Sequence, residues 1–378
     1  MGMESLRNDH DENASPATRD VAQSASEQST SLCEGAFSTG LQHVAISERL
    51  KSLYVVSNRD HELRRKFELE YHKIAARQQA LANERHVRAL LEGTMLCLTG
   101  ESQAGKSYAA ETLLNSFPEF RGYDAPGSAS CLLSLRAPPA CTSKRLAIEL
   151  LHALGYPVTP RVEEHRLWSL VYQKLSMQGV RVVHIDELQH ASHVANVAEL
   201  KRLGASLKSL LLNPHWPVML FVVGVPELLT LLKSYEELDR RTIYCSFRRL
   251  DLAEAARATE IAAFVCRRAG FTLEMTDAMA FGERLIVAAR HQFGAMIEWT
   301  INAVQVVLTR TDTEETGANS FVDETAFAIA YAEKTDCDRR DNPFLIQDWR
   351  SWIHAYKERR SSGDDAAANA RRQKARRR

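Results

Sequence analysis

Leu96-Cys97-Leu98-Thr99-Gly100-Glu101-Ser102-Gln103-Ala104-Gly105-Lys106-Ser107-Tyr108 is the stretch whose reading decides the fold. A short apolar run ends at Gly100, Gly-x-x-x-x-Gly-Lys-Ser follows, and Tyr108 to Leu114 has helix-forming composition. A strand, a glycine-rich turn and a helix N-terminus in that order form a phosphate cradle, the P-loop. Glycines let backbone N–H groups curl around phosphate, Lys106 reaches the outer phosphate oxygens, and the Ser107 hydroxyl suits Mg²⁺. The nucleotide contacts expected from this reading are Gly100, Glu101, Ser102, Gln103, Ala104, Gly105, Lys106, Ser107 and Tyr108.

A second motif agrees with the first. Val180-Arg181-Val182-Val183-His184-Ile185-Asp186-Glu187 is an apolar strand ending in two carboxylates. It is expected to lie beside the P-loop strand, at the carboxyl edge where open parallel sheets place their ligands. Alone, an Asp-Glu pair at a strand end reads as a helix N-cap. With a P-loop upstream, Asp186 becomes a magnesium ligand and Glu187 the group that polarises water against the γ-phosphate of ATP. His184-Ile-Asp-Glu-Leu-Gln-His190 imitates a zinc-protease motif, but Asp186 stands where histidine must directly precede the glutamate.

Outward from these motifs, strands at about 130–135, 180–187, 218–224 and 247–252 alternate with helices at 142–154, 163–177, around Leu200–Leu211, and 226–240. Alternation of this kind means an α/β fold with a parallel sheet flanked by helices. The segments expected are a polar tail over 1–45, an N-terminal helical segment over 46–92, the P-loop ATPase core over 93–252, a small all-helical lid over 253–340, and an extension with a basic tail over 341–378. Lys plus Arg and Asp plus Glu both total 48, so contact with nucleic acid must come from a local patch rather than from net charge. Seven cysteines without C-x-x-C spacing predict reduced core thiols. No run approaches membrane-spanning length and no apolar leader opens the chain, so a cytoplasmic protein without a membrane partner is expected.

The P-loop, the Asp-Glu box, the helical lid, Lys208-Ser209-Leu210 leading to Pro217, Gly224-Val225-Pro226-Glu227 and Asn342-Pro343-Phe344 together resemble the AAA+ ATPases of bacterial transposons. The resemblance is to the TniB family, which is related to TnsC and MuB, and covers about residues 55–345. It implies ATP-dependent binding to double-stranded target DNA, homo-oligomerisation there as a ring or filament, and recruitment of a transposase, with a target-selector protein as a further partner. It also implies an arginine from a neighbouring subunit at the γ-phosphate. Arg240 or Arg241 matches that position, although arginine is favoured at any helix C-terminus.

Two departures from the AAA+ pattern imply slow hydrolysis. Val223-Gly224-Val225 lacks a polar sensor, and Gly294-Ala295-Met296 lacks a lid arginine, with only Arg290 before it. DNA contacts are expected from Lys201, Arg202, Lys208 and the arginine cluster at 371–378, against the plain reading of solvated charge. A helicase loader and an ATP-binding scaffold with little hydrolysis share these residues.

Overall fold

The computed structural model describes residues 43–82, 92–125, 128, 130–191, 197–213, 215–311 and 321–350. Most of the polar tail, Cys33, residues 83–91 of the expected N-terminal helical segment, Pro214 and the terminal arginines lie outside them. The described residues form two compact units. One joins residues through Leu53 to Glu260–Asp277 and Glu298–Gln347; the other joins Tyr54–Thr259, Ala278–Ile297 and the residues from Asp348 onward.

The larger unit is built on a parallel sheet of β1 (Thr94–Gly100), β2 (Leu132–Arg136), β3 (Val182–Asp186), β4 (Met219–Gly224) and β5 (Thr242–Phe247), in the order β2-β3-β4-β1-β5. The expectation that β3 lies beside the P-loop strand is therefore corrected: β4 stands between them. Every residue of β4 is buried, and its apolar run pairs with both neighbours, Leu220 opposite Met95 and Val183. A strand apolar on both faces gains most at the centre of a sheet.

Alternate residues of β1 face opposite cores. Leu96 and Leu98 pack with α2 (Asn58–Ala82) and α3 (Lys106–Asn115), through Leu63, Phe67, Ile74, Ala110 and Leu114. Met95 and Cys97 face α4 (Ser143–Ala153), α5 (Glu164–Met177) and α6 (Val197–Leu211), through Leu146, Leu150, Val171, Leu203 and Leu207. Thr142 caps α4, its hydroxyl accepting from the Arg145 amide. Several basic residues of α2 meet carboxylates one turn away, Arg64 with Glu68, Lys66 with Glu62 and Lys73 with Glu70.

Two further expectations are corrected here. The segment 226–240 is not one helix but α7 (Glu227–Lys233) and α8 (Glu236–Asp239). Ser234 closes the first through its hydroxyl to the Leu231 carbonyl, and Tyr235 is extended. The last strand is 242–247 rather than 247–252. Thr242, Cys245 and Phe247 point inward from an edge strand while Ile243 and Ser246 are exposed. Asp251 then caps the next turn through the Ala253 amide, reciprocated by Glu254 on the Asp251 amide, and this box ends the strand. The chain continues through α9 (Ala255–Arg268), α10 (Ala278–Ala288) and α11 (Phe293–Thr311).

The smaller unit contains α1 (43–51), parts of α9 and α11, and α12 (Glu324–Thr335). It is not all-helical as expected: β6 (Thr272–Leu273) and β7 (Phe321–Val322) pair in parallel. The Asn-Pro-Phe element closes this unit on itself. Asn342 donates from Nδ2 to the Ala328 carbonyl at 2.7 Å, its Oδ1 accepts from the Phe344 amide, and Phe344 packs on Phe327 and Tyr331. Among the described residues the cysteines are free thiols, and burial raises the pKa of Cys141 and of Cys266 to about 12. No described helix is long and apolar enough to cross a membrane.

His184 sits inside the sheet, its Nδ1 hydrogen-bonded to Ser134 at 2.8 Å and its ring against Phe221. Nε2 has no hydrogen-bond partner. Desolvation lowers its pKa to about 4, although Asp186 opposes the shift. The neutral ring's contribution to stability is thus fully present above the unfolded-state value, about 6.5, and is lost as pH falls towards 4. Between those limits, wild-type stability in urea should fall more steeply than that of His184→Gln, by up to about 1.4 kcal/mol per pH unit. Parallel stability curves for the two proteins would contradict the assignment.

Candidate active site

The P-loop turns at Gly105, whose φ of +86° immediately precedes α3. A side chain there would meet nothing within 4 Å, so glycine serves the left-handed backbone and the space before the helix N-terminus is open. Ser107 and Tyr108 are exposed on the first helical turn, and Tyr108 meets Tyr54 edge-on at 5.3 Å. Lys106 is only 8% exposed, and its Nζ donates to the Glu101 carbonyl at 2.8 Å within the loop. Burial lowers its pKa, while the charges of Glu187, Asp186 and Glu101 oppose the shift. The P-loop lysine and the Asp-Glu pair therefore share one site across β4.

At the end of β3, Asp186 Oδ1 accepts from the Glu187 amide at 2.8 Å. Glu187 adopts φ +58°, a left-handed conformation that costs a side-chain-bearing residue about 1–3 kcal/mol. Its carboxylate is held from several sides: Oε1 lies 3.6 Å from Arg136, Oε2 lies 4.0 Å from His190, and Oε2 accepts from the side-chain amide of Gln189. His190 Nδ1 bonds the Ala137 carbonyl at 3.0 Å while His184 is committed inside the sheet, so the two histidines serve separate structural contacts.

Three participants were missed by sequence reasoning. Arg59 donates to the Ala104 carbonyl of the P-loop at 3.4 Å, with its guanidinium 4.5 Å from the Phe247 ring centre and 4.1 Å from that of Phe293. The Ala295 amide, at the start of α11, donates to the Gln103 carbonyl at 3.2 Å. Gln189 reaches the end of β4. None belongs to a contiguous motif. The only local signals were the glycines at 224 and 294, which mark close approaches.

The two arginine candidates differ in environment. Arg241 makes paired bonds to Glu92, at 2.9 and 3.2 Å, and donates to the Glu237 carbonyl, leaving its side chain 25% exposed. Arg240 is 72% exposed and pairs with Glu236 one turn away. Among the basic residues considered for DNA, Arg202 pairs with Glu199 and Lys208 with Glu237, whereas Lys201 is exposed. Trp349 is occupied within the protein: its indole donates to Glu283 at 3.3 Å, and Arg284 stacks on its ring at 4.1 Å.

Residues 89–232, containing both motifs, match a family model described as an AAA domain. The P-loop and the Asp-Glu pair both fall inside the matched segment. Among curated proteins, none matches the chain. Solved structures similar to it include the Aeropyrum pernix ORC2 protein in ADPNP–ADP complexes, at 13% identity and a TM-score of 0.43, covering 72% of this chain and 71% of that one. Drosophila ORC bound to DNA is similar at 13% identity and a TM-score of 0.47, covering 90% and 72%. The Aeropyrum pernix ORC1 protein in complex with DNA is similar at 15% identity and a TM-score of 0.43, covering 72% and 66%.

The site presents oxygen donors of the kind Mg²⁺ takes, the Ser107 hydroxyl and the Asp186 carboxylate, beside a lysine kept from bulk water. The start of α11 limits what this loop tolerates. A side-chain carbon on Gly294 would stand 2.5 Å from the Gln103 carbonyl oxygen, and that oxygen is backbone. Gly294→Ala should lower stability by about 1–3 kcal/mol in urea unfolding, as overpacked sites do. A neutral result would mean that the loop and α11 are not in the contact described.

Proposed function

We propose that the protein is a DNA-associated AAA+ ATPase that works as a slow ATP-driven switch. The observation that carries this reading is Lys106, buried at the P-loop under the opposing charges of Asp186, Glu187 and Glu101. A buried ammonium beside two carboxylates at the carboxyl edge of a parallel sheet suits phosphoryl transfer, where catalysis is positioning and charge compensation. The loop amides from Gly100 to Ser107 bind the phosphates, and Lys106 holds the outer phosphate oxygens. Ser107 and Asp186 would hold Mg²⁺, which would offset the negative charge on those oxygens. Glu187 orients the attacking water and takes up its proton.

Arg240 is the residue that reaches the γ-phosphate of a neighbouring subunit. Its exposure and its weak surface pair leave it able to exchange partners, whereas Arg241 is committed to Glu92. Slow turnover follows from β4 ending in Val223-Gly224-Val225, without a polar side chain of its own.

The finer reading rests on the resemblance to transposon AAA+ ATPases. The ATP-loaded protein oligomerises on double-stranded DNA in the cytoplasm and recruits or regulates a transposase. Lys201 and the arginines at 371–378 make phosphate contacts, so binding weakens steeply with salt.

Lys106→Ala should lose nucleotide binding altogether in an equilibrium titration. Glu187→Gln should bind ATP as wild type does and hydrolyse it about 100-fold more slowly or worse. Normal turnover by Glu187→Gln would remove Glu187 as the base. Arg240→Ala should cut hydrolysis about 1000-fold in the assembled state, while Arg241→Ala chiefly lowers thermal stability. Negative-stain images with duplex DNA should show rings or filaments with ATP and not with ADP. Assembly indifferent to nucleotide would defeat the switch.

A further inference from the structure

Gln189 lies just past the Asp-Glu pair, in the turn Leu188–Ala191, and is 6% exposed. Its side-chain amide is used at both ends. Nε2 donates to Oε2 of Glu187, and Oε1 accepts from the backbone amide of Val225 at 3.3 Å, in the turn between β4 and α7. The chemistry of the partners sets the orientation of the amide: a carboxylate requires the NH₂ end, and a backbone N–H requires the oxygen. The residue that ends β4 completes the arrangement. A side-chain carbon on Gly224 would fall 2.6 Å from Gln189 Oε1 and 2.9 Å from Leu228 Cδ2. Glycine at the end of β4 is thus the counterpart of a long amide entering from β3, and a polar side chain on β4 would compete for the same space.

We propose that Gln189 is a positioning residue for ATP hydrolysis, orienting the Glu187 carboxylate and tying it to the β4–α7 turn through the space left by Gly224. The proposal rests on the ATPase reading above. The geometry gives it a definite task. Glu187 has a left-handed backbone that neighbouring contacts must maintain, and Gln189 engages Oε2, leaving Oε1 on the side of Arg136. The same amide links the hydrolytic carboxylate to α7, the helix that leads to α8 and Arg240. A shift of the β4–α7 turn therefore reaches Glu187 directly.

The test uses the full chain and measures ATP hydrolysis, nucleotide affinity by titration and thermal stability. The variants are Gln189→Leu, Gln189→Glu, Gly224→Ala and the double variant Gln189→Leu/Gly224→Ala. Gln189→Leu keeps the bulk and removes the donor, so kcat should fall at least tenfold while KM for ATP changes less than twofold. Gly224→Ala, which displaces the amide, should give a similar loss. The double variant should be no worse than the poorer single variant.

Gln189→Glu places a second carboxylate against Glu187, in a site that also holds Asp186, Lys106, Arg136 and His190. Like charges in contact repel, so kcat should fall at least as far as in Gln189→Leu while KM for ATP again changes less than twofold, a split that a merely structural role would not produce. A wild-type kcat in Gln189→Leu, a raised kcat, or multiplicative losses in the double variant would overturn the proposal while leaving the ATPase reading intact. A wild-type protein that binds nucleotide and never hydrolyses it would overturn both.

Discussion

The site depends on an ammonium group taken out of water. Desolvating the Lys106 side chain disfavours its charged form, and the structure answers with the Glu101 carbonyl and with the charges of Glu187 and Asp186. That requirement links two chain segments about 80 residues apart in sequence, because the carboxylates must come to the same edge of the sheet as the P-loop. Parallel pairing in the order β2-β3-β4-β1-β5 achieves this while leaving the width of β4 between lysine and carboxylates. That width is filled at the sheet edge by Gln189 against Gly224.

Ion pairing separates residues that look alike in sequence. Arg240 and Arg241 are adjacent in the chain, yet one is mostly solvated and the other makes two bonds to Glu92 and one to a carbonyl. An exposed pair one helical turn apart contributes only about 0.3–0.5 kcal/mol, so Arg240 is inexpensive to release. The same distinction applies to the helix after the Asp-Glu box, where Lys201 is exposed while Arg202 and Lys208 meet carboxylates. Basic residues counted along a sequence overstate a surface's affinity for phosphate unless their partners are counted too.

The errors in reading the chain share a cause. Thr242–Phe247 lacks a strand's signature in sequence because its buried residues, Thr242, Cys245 and Phe247, do not alternate with period two. The break between α7 and α8 carries no proline or glycine; Ser234 and Tyr235 make it through a hydroxyl-to-carbonyl bond and an extended backbone. The two-residue strands β6 and β7 are too short to show any period, and they exist because they pair with each other across about 50 residues.

By itself the sequence determined the α/β class, the P-loop between β1 and α3, and Asp186 and Glu187 at the end of an apolar strand. These are legible because each depends on residues within about ten positions, where backbone conformation and hydrophobic period are set locally. Tertiary structure alone decided that β4 separates the two motifs, that Arg59 and Ala295 hold the P-loop carbonyls, and that Gln189 engages Glu187 through the space beside Gly224. Each of these joins elements distant in the chain. Their geometry follows from how side chains fill a shared interior, and that close packing is a property of the assembled fold rather than of any stretch of sequence.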